Sequence, residues 1–110
     1  MTEADVLPFL KPVLPNKVFS YVVPQNKPVP APWGILSMYD IPQDVVSGQA
    51  ETLTNVQIDI YANTIDEARI IRDGMRQAIA DLGPSSITEK QSYEEDTKLF
   101  RATLEFQVWN

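Results

Sequence analysis

Between residues 55 and 82 the spacing of apolar side chains changes once, from every second residue to about every 3.6, and this switch constrains the fold more than any other feature. Val56, Ile58 and Ile60 alternate with Asn55, Gln57 and Asp59, which predicts a strand with one face buried and one face wet. From Thr64 onward, Ala68, Ile71, Met75, Ala78, Ile79 and Leu82 fall on one stripe of a helix. Thr64 and Glu67 have the spacing of a capping box, in which the hydroxyl meets an orphan amide and the carboxylate reaches back. Asp66 and Glu67 suit the positive end of the helix. Gly83 and Pro84 stop it.

The other segments are read by the same rules. Residues 2–14 carry Val6, Leu7, Leu10, Val13 and Leu14 at helical spacing, with Thr2 or Asp5 as cap. Pro8 is tolerated there only in the first turn, and Pro12 and Pro15 keep the helix short or irregular. Residues 18–23 are β-branched and aromatic and read as a strand. Four prolines between residues 24 and 32 make an extended, stiff link. Residues 33–41 read as a second, centrally placed strand. The polar stretch between Pro42 and Thr52 reads as a long hairpin loop into the third strand. Residues 85–93 form a strand with Ile87 inward, followed by an acidic turn at Glu94, Glu95 and Asp96. Phe100, Ala102, Leu104, Phe106 and Val108 alternate with Arg101, Thr103, Glu105 and Gln107, the clearest strand in the chain, and it ties the C-terminal residues into the sheet. Together these predict one α+β domain over residues 1–110. Its sheet is antiparallel or mixed, of about five strands, with one long helix packed on a face and a short N-terminal helix. Ile58, Ile60, Ile71, Met75, Ile79, Leu104 and Phe106 are its expected core.

Composition narrows the chemistry. The chain has no cysteine and no histidine, so disulfides, thiol nucleophiles, imidazole bases and most zinc or copper ligation are absent. Nine basic and fifteen acidic residues give a net charge of −6, and the basic residues form no stripe, which argues against sequence-specific nucleic-acid binding. No signal-peptide pattern and no membrane-length apolar run occur in the sequence, so a soluble product made in the cytoplasm is expected.

Asp59, Glu105 and Gln107 invite comparison with a magnesium nuclease, but they fall on the polar side of the alternation, where carboxylates are ordinarily solvated. Glu94, Glu95 and Asp96 read as a solvated turn. Ser85 and Ser86 lack a base and suit a turn. Arg69, Arg72 and Arg76 lie on one side of the helix, where pairing with Asp66, Glu67 and Asp73 outranks phosphate or an acidic partner. No catalytic residue, metal site or cofactor is expected. Trp33, Val45, Val46 and Gln49 point to protein contacts, because Val45 and Val46 form an apolar pair in a polar loop and tryptophan is a frequent interface anchor.

Three stretches carry a family resemblance: residues 28–33 leading into Ile35, Leu36 and Ser37; residues 56–64 followed by Asp66, Glu67 and Ala68; and residues 96–101 running to Phe106, Gln107, Val108 and Trp109. With the order of elements, these make nearly the whole chain resemble the tail completion or tail terminator proteins of long-tailed bacteriophages. The many prolines near the front depart from that pattern. The resemblance implies a structural virion protein forming a homo-oligomeric, hexameric ring on the head-proximal end of the tail tube. Such a ring ends polymerisation and joins the tail to neck or head-completion proteins. It implies as partners further copies of itself, the tail tube protein and a neck protein, with no membrane, and a place in the virion after assembly in the host cytoplasm. A ring needs two different adhesive faces per subunit. Acidic side chains along its lumen would let DNA pass without sticking. The alternatives are a small metal-dependent nuclease and a monomeric adaptor that binds a peptide along a strand edge.

Overall fold

The computed structural model describes residues 1–44 and 50–110. In chain order the elements are α1 (Glu3–Leu10), β1 (Val18–Ser20), β2 (Trp33–Asp44), β3 (Ala50–Ala62), α2 (Ile65–Ala78), a 3-10 turn (Ala80–Leu82), β4 (Ser85–Glu94) and β5 (Leu99–Trp109). The strands form one sheet in the order β1-β2-β3-β5-β4. β1 runs parallel to β2 and every other neighbouring pair is antiparallel. The fold is therefore α+β with a mixed five-stranded sheet, as the sequence predicts.

Alternation decides which face of the sheet is covered. Val56, Ile58 and Ile60 of β3 and Ala102, Leu104 and Phe106 of β5 point to one side, where they are fully buried with Ala68 and Met75 of α2, Ile79 just after it, and Val6 and Leu10 of α1. Each large side chain in this layer contributes about 1.5–3 kcal/mol of transfer free energy. Six of the seven expected core residues are fully buried, and Ile71 packs half-buried against the cluster.

The Thr64 hydroxyl accepts the Glu67 amide at 3.1 Å and starts α2. The helix gives way to the 3-10 turn at Ala80, and Gly83 adopts φ 69° to reverse the chain, a conformation a Cβ disfavours. Thr2 caps α1, with its amide on the Asp5 carboxylate at 2.7 Å. Pro8 lies beyond the first turn, inside an eight-residue helix that ends at Leu10, so the short form of the expected helix is the one adopted.

Four sequence expectations need correction. β1 stops at Ser20 and not at residue 23, because Tyr21 turns into the left-handed region at φ 68°. The hairpin between β2 and β3 carries more ladder than expected: pairing continues from Pro42↔Thr52 to Asp44↔Ala50, so both ends of the stretch read as loop are strand, and residues 45–49 lie outside the described residues. Thr52 exchanges both its backbone bonds with Asn110, at 2.9 and 3.2 Å, so it makes none toward β2, and the ring nitrogen of Pro42 faces the unpaired outer edge. A proline there costs the ladder nothing. Ile87 is 38 % exposed and not inward, beside the register irregularity between Ser85 and Thr88. Finally, Arg72 and Arg76 pair across to Glu89 of β4, at 3.4 and 2.8 Å, and not along the helix.

Candidate functional site

The helices cover one face of the sheet, and the residues that alternate with the core form the other. Register places them in rows across the strands. Ile41, Leu53 and Trp109 lie opposite one another at one end, followed by Tyr39, Asn55 and Gln107. Next come Ser37, Gln57, Glu105 and Thr88, then Ile35, Asp59, Thr103 and Lys90, and last Trp33, Tyr61, Arg101 and Ser92. Apolar and aromatic rows thus bracket a polar middle. A protein partner recognises this kind of pattern through aromatic anchors with a hydrogen-bonding interior.

The polar middle is knit together. The Thr103 hydroxyl donates to Asp59 Oδ1, and Gln57 Nε2 donates to Asp59 Oδ2 at 2.8 Å. Asn55 Nδ2 donates to Glu105 Oε2 at 2.9 Å. Asp59 is only 5 % exposed, with Asn55 and Thr103 also buried. The expectation of a solvated carboxylate at position 59 is therefore overturned: Thr103 and Gln57 flank it closely, and the chain after β1 lies over it. Among the described residues no group of three or more acidic side chains is placed to hold a metal ion, which removes the geometric basis of the nuclease comparison.

The segment following β1 leaves an open cleft of about 460 Å3 between itself and the sheet, lined by Tyr21, Val22, Val23, Ile35, Asp59 and Tyr61 among others. Trp33 forms one wall by stacking on Tyr61, with ring centroids 4.3 Å apart. Tyr61 donates to Glu94 at 3.3 Å, and Arg101 bonds both Glu94 and Ser92 at 3.2 Å. Burial pushes the Tyr61 phenol above its ordinary value. The hydrogen bond with Tyr61 raises the Arg101 guanidinium further, so it stays charged at every pH of interest.

Of the four residues expected to make protein contacts, Trp33 lies half-buried in the cleft wall. Val45, Val46 and Gln49 lie outside the described residues. Sequence reasoning missed the cleft, because it is built by residues 21–25 folding back over β2 and β3, a contact no local spacing encodes. The available signal was bulk on the wet side of the alternation: Trp33, Ile35 and Tyr61 are large for solvated positions.

The arrangement defines a class: a two-layer α+β domain with helices on one side of a mixed sheet and, on the other, an aromatic-edged face partly covered by the chain after β1. No family model matches the chain, and no curated protein does. Among solved structures it is similar to a chain of the virion of a native gene transfer agent particle, with a TM-score of 0.61 and 14 % identity over 91 % of this chain and 82 % of that one. At that identity the likeness establishes the shared fold.

Proposed function

We propose that this chain is a structural virion protein that closes the head-proximal end of a phage tail tube as a ring, ending tube polymerisation and presenting a surface to neck or head-completion proteins. The observation that carries the reading is the near-full-length likeness to a chain of a gene transfer agent virion. It agrees with the resemblance of residues 28–37, 56–68 and 96–109 to tail terminator proteins. The open cleft on the sheet face opposite the helices supports it too, since a ring subunit needs two different surfaces for its neighbours. The chain's chemistry lies in surfaces: it has no histidine or cysteine to move protons at neutral pH, and Asp59 is held by two neutral donors.

Deleting the gene in a producing strain tests this directly. The expected particles have tails of uncontrolled length and heads that fail to join. Wild-type tail lengths and normal head joining in the deletion would overturn the reading, as would cryo-electron microscopy of intact particles with no copy at the head–tail junction.

A further inference from the structure

Asp59 is the starting point. Its carboxylate is nearly fully buried, lines the cleft, and receives hydrogen bonds from two neutral groups, Thr103 and Gln57. A carboxylate accepts about four hydrogen bonds, so capacity remains. No lysine or arginine among the described residues forms an ion pair with it. Arg101, in the next row, is committed to Glu94 and Ser92. Arg101 feels the Asp59 charge at longer range but makes no ion pair with it, so the carboxylate still has room for a directly paired cation arriving from outside. The rest of the cleft says what should carry the cation: Val22, Val23, Ile35 and the Trp33–Tyr61 stack suit an apolar side chain beside the charge.

The opposite layer of the same molecule offers that pair. Ile70 on the outer side of α2 is 70 % exposed, the most exposed of the large apolar side chains among the described residues. Arg69 adjoins it, is also exposed, and forms no ion pair among the described residues, whereas Arg72 and Arg76 are held by Glu89. Asp66 and Asp73 flank Arg69 on the helix, and Lys98, next to Thr97 at the edge of the cleft, supplies their complement.

We infer that the cleft seats the outer face of α2 from a second copy of this chain, with Arg69 of the second copy meeting Asp59 and Ile70 of the second copy filling the apolar wall. α2 and the cleft lie on opposite sides of the sheet, so the contact is heterologous. Repetition builds a ring when the rotation closes. The inference rests on the ring reading and names the surfaces that make the ring.

The absence of native cysteine gives a clean test. Single-cysteine variants Ser37→Cys, in the cleft, and Asp73→Cys, on the outer side of α2, are mixed at high concentration and joined with a short bismaleimide. Cross-links between the two variants should dominate over links within either one. Arg69→Glu sets carboxylate against carboxylate and should reduce cross-linking and self-association at least about tenfold, with Ile70→Ser acting in the same direction and Arg69→Lys restoring the contact. Arg69 and Ile70 are exposed, so these variants keep the fold, which circular dichroism checks. Absent or purely like-with-like cross-links overturn the inference. Rings that persist on tail tubes in the Arg69→Glu variant overturn this contact while leaving the ring reading standing. An arginine-containing peptide that shifts the Ile35 and Asp59 amide resonances of a protein that stays monomeric would also overturn it, assigning the cleft to another protein's basic side chain.

Discussion

Arg72 sits almost fully buried between α2 and β4, where it donates to the Lys90 carbonyl at 2.9 Å and to Gln91 Oε1 at 3.1 Å and pairs with Glu89, while its Nε has no partner. Removing it breaks the bonds that tie α2 to β4 and empties the space its buried side chain fills at the helix–sheet seam. Arg72→Ala should therefore cost about 2–3 kcal/mol, read as a lower urea midpoint with an unchanged slope. Arg76 shares Glu89 but is half exposed, and Arg76→Ala should fall within about 0.5 kcal/mol of wild type. A surface pair behaves differently again. The Tyr21 hydroxyl bonds Glu3 and holds its carboxyl below the ordinary 4.5, and the same bond lifts the Tyr21 phenol above 10.0. The stabilisation from Glu3 is present above pH 4.5 and lost as pH falls through its lowered folded-state value. That from Tyr21 is present below pH 10.0 and lost as pH rises through its raised one. In Tyr21→Phe, the Glu3 carboxyl followed by NMR should titrate closer to 4.5, and an unmoved titration would refute the linkage. Neither Arg72 nor Tyr21 shows its partner in the sequence: the first looks like one of three arginines on a wet helix face, the second like a strand residue.

The elements with an uninterrupted apolar period, β3, α2 and β5, match their sequence reading to within a few residues, because that period records a burial face whatever the neighbours are. The elements whose form depends on distant chain match less well. β1 is held to three residues by a parallel register with β2, and the β2–β3 ladder runs on through polar residues because backbone bonds do not consult side chains. Two substitutions test the start of α2 and the end of the 3-10 turn that follows it. Thr64→Ala removes the acceptor for the Glu67 amide and should cost about 1 kcal/mol. Gly83→Ala should cost about as much, although a Cβ there has open space around it, because φ 69° is itself unfavourable for an alanine. Thermal unfolding by circular dichroism measures both.

Seen whole, the molecule is a sheet whose central strand is shielded on both edges, fully on its helix face and in part on the other, with a largely exposed segment between β1 and β2. Native-state hydrogen exchange should follow that layout: amides of β3 at Val56, Ile58 and Ile60 slowest, those of residues 22–31 fastest, and β4, exposed along nearly all its length, between them. Fast exchange in β3 would contradict the placement of the core. The fold class was legible because two helices and alternating strands permit few arrangements. The open face was not, since a strand's polar side reads alike whether water or a neighbouring subunit meets it. Pro42 bears on how such subunits multiply. With no N–H on the bare margin of β2, it leaves a gap in any cross-chain ladder that tried to extend there, so sideways fibre growth is discouraged along that margin. In the ring proposed above, growth would run instead from the α2 face of one copy to the cleft of the next, and closure would use up both of those surfaces.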